Sequence, residues 1–255
     1  MAFSLENILA AAIFIGLRVS GLVLFVPGLG NSAVPPQAKA AFVCLCVAVL
    51  WPVVHVPPLS TSPLLLAGVV LNELAIGVIV GLCLSFIFDA VQFAGQILGM
   101  QMGFSLATMI DPQSQADSMV LSVFYQTIVL LIFFSLDVHH WVLRALVSSF
   151  RYLPAGEPIV TAPRVAFLMH TAASIWVIGL QIAAPVLIAT VIADFVLAFL
   201  GKASPQFPVL LVGLSVKSVL GMLVSIAAMT VWPRYLELHF ENAIRWTEQI
   251  LRLTH

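Results

Sequence analysis

The residues best equipped for chemistry in this chain are also the costliest to hold where they lie. Arg18, Glu73, Asp194 and Lys217 fall inside long apolar runs, and Asp89 sits at the end of one. An ionisable group at the centre of a bilayer costs at least about 2.5 kcal/mol on insertion scales, so such residues pair, face water or meet another chain. They could serve a proton or ion relay, or they could pair helices with one another. Their scatter over different helices, with no cluster of acids, favours pairing. Gln96 and Gln101 are further candidates for polar contacts between helices or subunits. His139-His140 raises a metal. Adjacent residues on a helix point about 100° apart and rarely share one ion. Two further ligands are not evident, and the pair reads as an interfacial His-His-Trp segment with Trp141 as anchor. The chain has no Walker loop, no HExxH and no G-x-S-x-G. No catalytic residue, metal site or cofactor is expected.

A second stretch stands out by composition. GQILGMQMGFSLATMIDPQSQADS runs from Gly95 to Ser118. Gly95, Gly99 and Gly103 recur every four residues, which on a helix makes one smooth stripe open to a close-packed backbone. Gln92 and Gln96 lie near that stripe and Gln101 does not. Apolar residues continue from Phe104 to Ile110, and Asp111-Pro112 is then expected to stop the helix, because a residue before proline disfavours helical geometry. Methionine fills irregular gaps and glycine frees the backbone. Such a segment suits either a deformable plug in a pore or a tight helix–helix contact followed by a loop.

The elements that must position these residues are membrane helices. The chain has 255 residues, of which 62% are hydrophobic and 8% charged. Soluble domains carry about 25% charged residues. Net charge is −1, which gives no footprint for nucleic acid. Cys44, Cys46 and Cys83 all lie in apolar runs, where cysteine behaves as a small hydrophobe. The N-terminus lacks the basic start of a cleaved signal peptide and reads as a retained first helix. Spanning takes roughly 20 apolar residues. Regions 5–26, 64–88, 118–136, 165–200 and 207–232 qualify or nearly so, and 38–54 is short, which gives six spans in a naive count. They are helices, because backbone groups in lipid must be satisfied within the segment. Region 165–200 is too long for one upright span and must tilt, kink near Pro185 or project beyond the hydrocarbon. The C-terminal RYLELHFENAIRWTEQILRLTH sets Leu238, Phe240, Ile244, Ile250 and Leu251 among charges. It reads as an amphipathic helix outside the hydrocarbon, against partners or lipid headgroups. With six spans, Arg144, Arg151, Arg164, Arg234, Arg245 and Arg252 fall on one side and Lys39 and Lys202 on the other, which places both termini in the cytoplasm.

Several stretches carry a family resemblance nearly end to end: LRVSGLVLFVPGLGNSAVPPQAKAAF, NELAIGVIVGL, GQILGMQMGFSLATMIDP, DVHHWVLRALVSSFRYLPAGEP and ADFVLAFLGKASPQFPVLLVGLSVKSVLGM. Together they resemble the FliR/SctT family of type III secretion export-gate membrane proteins, the Met-Gly stretch most specifically. Asp137-Val138 departs from the family's usual Asn-Gly before the histidine. Gly201-Lys202 stands where Ser/Asn-Arg is common, and Phe207-Pro208 follows the Pro-Gln.

The resemblance implies an all-α chain of polytopic, membrane-type helical hairpins. Residues 1–162 would be a FliP-like part including a pore plug at about 95–118, and 163–255 a FliQ-like hairpin with the amphipathic C-terminal segment. It implies assembly with FliP- and FliQ-like subunits, then FlhB and FlhA, into a closed pore in the bacterial inner membrane. Unfolded flagellar subunits would pass through it. Carried over by motif, the plug would comprise Met102, Gly103, Phe104, Ser105, Leu106, Ala107, Thr108, Met109, Ile110, Asp111 and Pro112. Phe104, Leu106, Met109 and Ile110 would seal, and Gly103 would hinge. Arg18, Glu73 and Lys217 would face neighbouring subunits. Three other readings compete: the equivalent subunit of a virulence secretion system, a secondary transporter and a membrane enzyme. A transporter predicts inverted repeats around a midplane site, and none is apparent. An enzyme predicts converging catalytic groups, and Asp89 and Asp194 have no accompanying motif.

Overall fold

Long apolar runs punctuated by proline and glycine fold into helices, and the computed structural model describes residues 5–30, 34–52, 54, 63–104, 120–204, 206 and 208–253. The described residues hold α1 (Leu5–Phe25), α2 (Pro36–Leu50), α3 (Pro63–Gln101), α4 (Val120–Ser135), α5 (Val138–Tyr152), α6 (Ala162–Ala203), α7 (Val209–Met229) and α8 (Trp232–Arg252). The expected all-α class holds, with no strand among the described residues. Pro36 opens α2 at a first-turn position, where the missing N–H costs nothing.

Each of the six regions read as spans overlaps a helix, and those helices differ in length. Among the described residues, three helices are long and apolar enough to cross a membrane over 18 residues or more: α3, α6 and α7. A fourth exists if α4 and α5, bent by 70° across their short break, count as one. At the start of the chain, α1 is apolar and has 21 residues, as many as α7, and α2 is the short one with 15. The run at 64–88 does not stop there but continues to Gln101, giving a helix of 39 residues. The spans also differ in what covers them. The apolar window of α3 is 61% buried by the protein itself, against 22% for α6 and 17% for α7. Hydropathy alone therefore marks α3 as lipid-facing when most of it is protein core. The 42 residues of α6 make a rod of about 63 Å at 1.5 Å per residue, twice the hydrocarbon thickness of about 30 Å. Pro185 lies within it.

The chain divides into two compact units that interleave in sequence. One comprises 1–87, 133–173 and 239–255. Its core includes Ile76, Leu153, Ile159 and Leu251, with Ala10, Phe14 and Ala155 in a second cluster. The other comprises 88–132 and 174–238. There Tyr125 donates to Ser225 at 2.8 Å and meets Trp232 edge-on at 5.0 Å.

The amphipathic reading of α8 holds, with a corrected face. Trp232, Leu236, Phe240, Ala243, Thr247 and Ile250 are buried, a run of three- and four-residue steps that makes one stripe. Leu238, assigned to that stripe from sequence, is 57% exposed. The stripe is covered by the chain itself. Phe240, for example, packs against Phe133 with ring centroids 5.7 Å apart.

Candidate functional site

Two polar clusters organise the molecule, one in each unit. The first begins with a close approach of α1 and α3. A Cβ on Gly77 would fall on the carbonyl of Arg18, and one on Gly21 would fall on that of Leu74. Only glycine allows these two backbones to lie so near. That contact sets Arg18 opposite Glu73. Arg18 Nε donates to Glu73 Oε2 at 2.7 Å, and neither side chain is exposed to solvent.

The remaining bonding capacity of both groups is then met by α5 and the loop after it. Arg18 Nη1 donates to Ser149 Oγ at 3.0 Å, and Nη2 donates to the Leu153 carbonyl at 3.2 Å. The guanidinium also lies 3.9 Å from the centre of the Phe150 ring. The second carboxylate oxygen of Glu73 accepts from the Gly156 N–H at 2.8 Å. Beside it, Asn72 accepts from the Ile159 N–H at 2.6 Å and donates to the Glu157 carbonyl. Arg164 Nη1 donates to the Pro158 carbonyl at 2.7 Å. A buried ion pair is tolerable only when its leftover donors and acceptors are satisfied, and here they are. The cluster joins α1, α3, α5 and the LPAGEP loop as a structural knot. It has no acid-to-acid path that would suit a relay.

The second cluster holds the end of α3. Lys217 on α7 lies 2.9 Å from Asp194 on α6, and Gln101 Nε2 donates to the same carboxylate at 3.3 Å. One residue on, Ser218 Oγ donates to the Met102 carbonyl at 2.7 Å. The Met102 side chain is fully buried, and a Cβ on Gly221 would meet it.

The helix then stops at Gly103, not at Asp111-Pro112 as the sequence suggested. Gly103 has φ of +87°. Its N–H donates to the Met100 carbonyl at 3.1 Å, and the Phe104 N–H donates to the Gly99 carbonyl at 3.0 Å. This pair of bonds is the Schellman motif, which ends helices with a left-handed residue. The stripe of three glycines is thus a helical pair plus a cap. Gly95 still serves close packing, since a Cβ there would lie 2.7 Å from Ser122 Cα.

Of the residues singled out from sequence, the structure joins Arg18 with Glu73, and Asp194 with Lys217 and Gln101. Asp89 is exposed and Gln96 half-buried on α3, outside both clusters. Met102 and Gly103 form the docked stem of the Met-Gly segment, and Phe104 is 38% exposed beyond it. Ser105, Leu106, Ala107, Thr108, Met109, Ile110, Asp111 and Pro112 lie outside the described residues. Sequence reasoning missed Asn72, Ser149 and the Leu153 carbonyl. Nothing in the LPAGEP stretch named Glu73 as its partner.

Comparison with known proteins decides the class. The model of the family described as bacterial export proteins, family 1, matches residues 9–243. The chain belongs to that family. Relatives include the flagellar biosynthetic protein FliR of Escherichia coli K12, 32% identical over 84% of this chain and 82% of the relative. FliR of Bacillus subtilis 168 is 28% identical over 89% of each chain. FliR of Caulobacter vibrioides is 27% identical over 87% of this chain and 88% of the relative. Both clusters fall within the span matched to this export family. With three to four apolar helices of spanning length among its described residues, this family member is a membrane protein.

Proposed function

We propose that this chain is a core component of the flagellar type III protein export gate in the bacterial inner membrane, and that it helps form and plug the channel for unfolded flagellar subunits. One observation carries the reading: the export family matches almost the whole chain, and the relatives that share most of its length are flagellar biosynthetic proteins. Those names also weigh for a flagellar gate over the virulence equivalent.

In this reading residues 1–162 are the FliP-like part and 163–255 the FliQ-like hairpin. The poorly covered faces of α6 and α7 meet FliP- and FliQ-like subunits, FlhB, FlhA or lipid. The gate has no catalytic step of its own. The chain offers no nucleotide-binding motif, and Arg18 with Glu73 and Asp194 with Lys217 are consumed in pairing, so energy for export comes from other components. The plug is the segment Met102–Pro112. Its stem is docked by Ser218 and Gly221 on α7 and capped at Gly103. A held stem leaves the following residues to yield to a passing chain and return.

The test is a strain lacking the gene, scored for motility and for hook and filament proteins in the medium. Loss of both, with those proteins still made inside the cell, supports the gate. Normal secretion and motility would sink the flagellar assignment, and the partners that co-purify with the chain would then distinguish a virulence gate from another kind of membrane protein.

A further inference from the structure

The elbow between α4 and α5 presents three metal-ligating side chains together, and neither polar cluster involves them. The helices meet at 70°, and the turn is made by Asp137, whose φ of +56° is the only positive value at a non-glycine among the described residues. The Asp137 N–H donates to the Phe134 carbonyl at 3.2 Å, and its own carbonyl accepts from the His140 N–H at 3.0 Å. The backbone is thereby set, and the side chain is left over.

An aspartate before the first turn of a helix ordinarily caps it by accepting a first-turn N–H. Asp137 makes no such side-chain bond. Its carboxylate turns instead toward the two imidazoles. Oδ1 lies 3.8 Å from His139 Nε2 and 3.4 Å from His140 Nδ1. The rings stack with centroids 4.1 Å apart, and donor atoms from all three residues lie within 4.8 Å of one another.

Those distances exceed an ordinary N–H···O bond, near 2.9 Å. The 3.4 Å pair is close to the ligand spacing around an ion, and the wider separations would close by side-chain rotation on binding. Two ligands each about 2.05 Å from a tetrahedral ion sit roughly 3.3 Å apart. The His139 ring is braced by Phe134, with centroids 5.6 Å apart, and its Nδ1 is buried with no hydrogen-bond partner.

We propose that Asp137, His139 and His140 bind a divalent transition-metal ion of the Zn2+ class. Two imidazoles and one carboxylate are the donor set of zinc and its neighbours, whereas Mg2+ and Ca2+ take oxygen ligands. The side chains are 69%, 36% and 59% exposed, so the ion is reachable from solvent and keeps positions for water or an outside ligand. Sequence reasoning set this pair aside because neighbouring helical residues diverge. It did not count Asp137, which precedes the helix and whose left-handed turn brings its carboxylate back over the pair.

The experiment titrates the full chain, purified in detergent without a histidine tag and stripped with chelator, with Zn2+ by calorimetry and with Co2+ by absorbance. One equivalent of each is expected to bind. Asp137→Asn should weaken Zn2+ binding at least tenfold while keeping the fold, because asparagine accepts left-handed backbone well. His140→Gln should do the same. His170→Gln, on an exposed part of α6, should leave the affinity unchanged. Thermal melting of each metal-free variant checks that the fold is intact. Uptake of no Zn2+ by the wild-type chain, or Zn2+ binding by Asp137→Asn equal to wild type, would overturn the proposal.

Discussion

Arg18 and Glu73 are 55 positions apart in sequence and meet at 2.7 Å with no solvent access to either side chain. Each also holds a different part of the chain: Arg18 holds Ser149 and Leu153, and Glu73 holds the Gly156 N–H. Removing one partner of a buried pair leaves an uncompensated charge, at a cost of about 3–5 kcal/mol. Arg18→Met and Glu73→Gln should therefore each lower the melting temperature and the amount of chain in the membrane. The double variant should be less damaged than the two single losses added together, because neither charge is then stranded. Additive losses in melting temperature would mean that the pair is not coupled as its geometry implies.

Gly103 is a test of backbone conformation rather than of packing alone. Left-handed geometry costs an ordinary residue roughly 1–2 kcal/mol, and a Cβ here would also strike the Leu214 side chain. Gly103→Val should weaken docking of the segment and reduce export more than Gly103→Asn, since asparagine is the usual second choice at this cap position. Adding Leu214→Ala should recover part of the Gly103→Val loss, the steric part, and leave the conformational part. The readout is secreted hook protein beside the level of assembled gate. Equal export by the valine and asparagine variants would count against the cap.

The helices were legible because apolar runs of spanning length leave the backbone little choice. The clusters were not, for two reasons. Their partners are remote in sequence, as Arg18 is from Ser149, 131 positions on. They also include carbonyls and amide groups, such as those of Leu153 and Gly156, which no residue type announces. Gly77 in NELAIGVIVGL serves a close helix contact, as small residues at helix crossings do, but it was not singled out from sequence. Such a glycine suggests the kind of contact and not the helix that makes it. The end of α3 was misread because Asp111-Pro112 is a conspicuous stop. Gly103 stops the helix first through a left-handed turn that a glycine permits but does not require. The covering of α3 was not legible because hydropathy cannot tell lipid from the protein that buries most of that helix.

His239 lies on α8, outside the helices of spanning length, and burial pushes its pKa below the usual 6.5. The folded chain therefore holds the ring neutral where an unfolded chain would begin to protonate. The unfolded state then binds more protons, so stability falls with falling pH. The loss begins as pH drops through about 6.5, the unfolded value, and levels off below the depressed folded value. Melting temperature followed from about pH 7.5 to about pH 5.5 should fall for the wild-type chain. His239→Gln should flatten that slope. An unchanged slope in the variant would assign the acid sensitivity to other groups.

The plug proposal permits a sharper deletion now that the stem is known. Removing Phe104 would cost the Phe104 N–H bond to Gly99 and confuse loss of the seal with loss of the cap. Removing Ser105–Ile110 leaves Gln101, Met102, Gly103 and Phe104 in place, with their contacts to Asp194, Ser218 and Leu214. The gate should then still assemble. Without Leu106, Met109 and Ile110 it should pass ions and small solutes, which conductance across a bilayer containing the purified gate would detect. The leak should be present without any substrate, because the missing groups act on the closed channel. An assembled deletion gate as tight as wild type would mean that the seal is made by other chains, and that the Met-Gly segment of this one serves to dock α3.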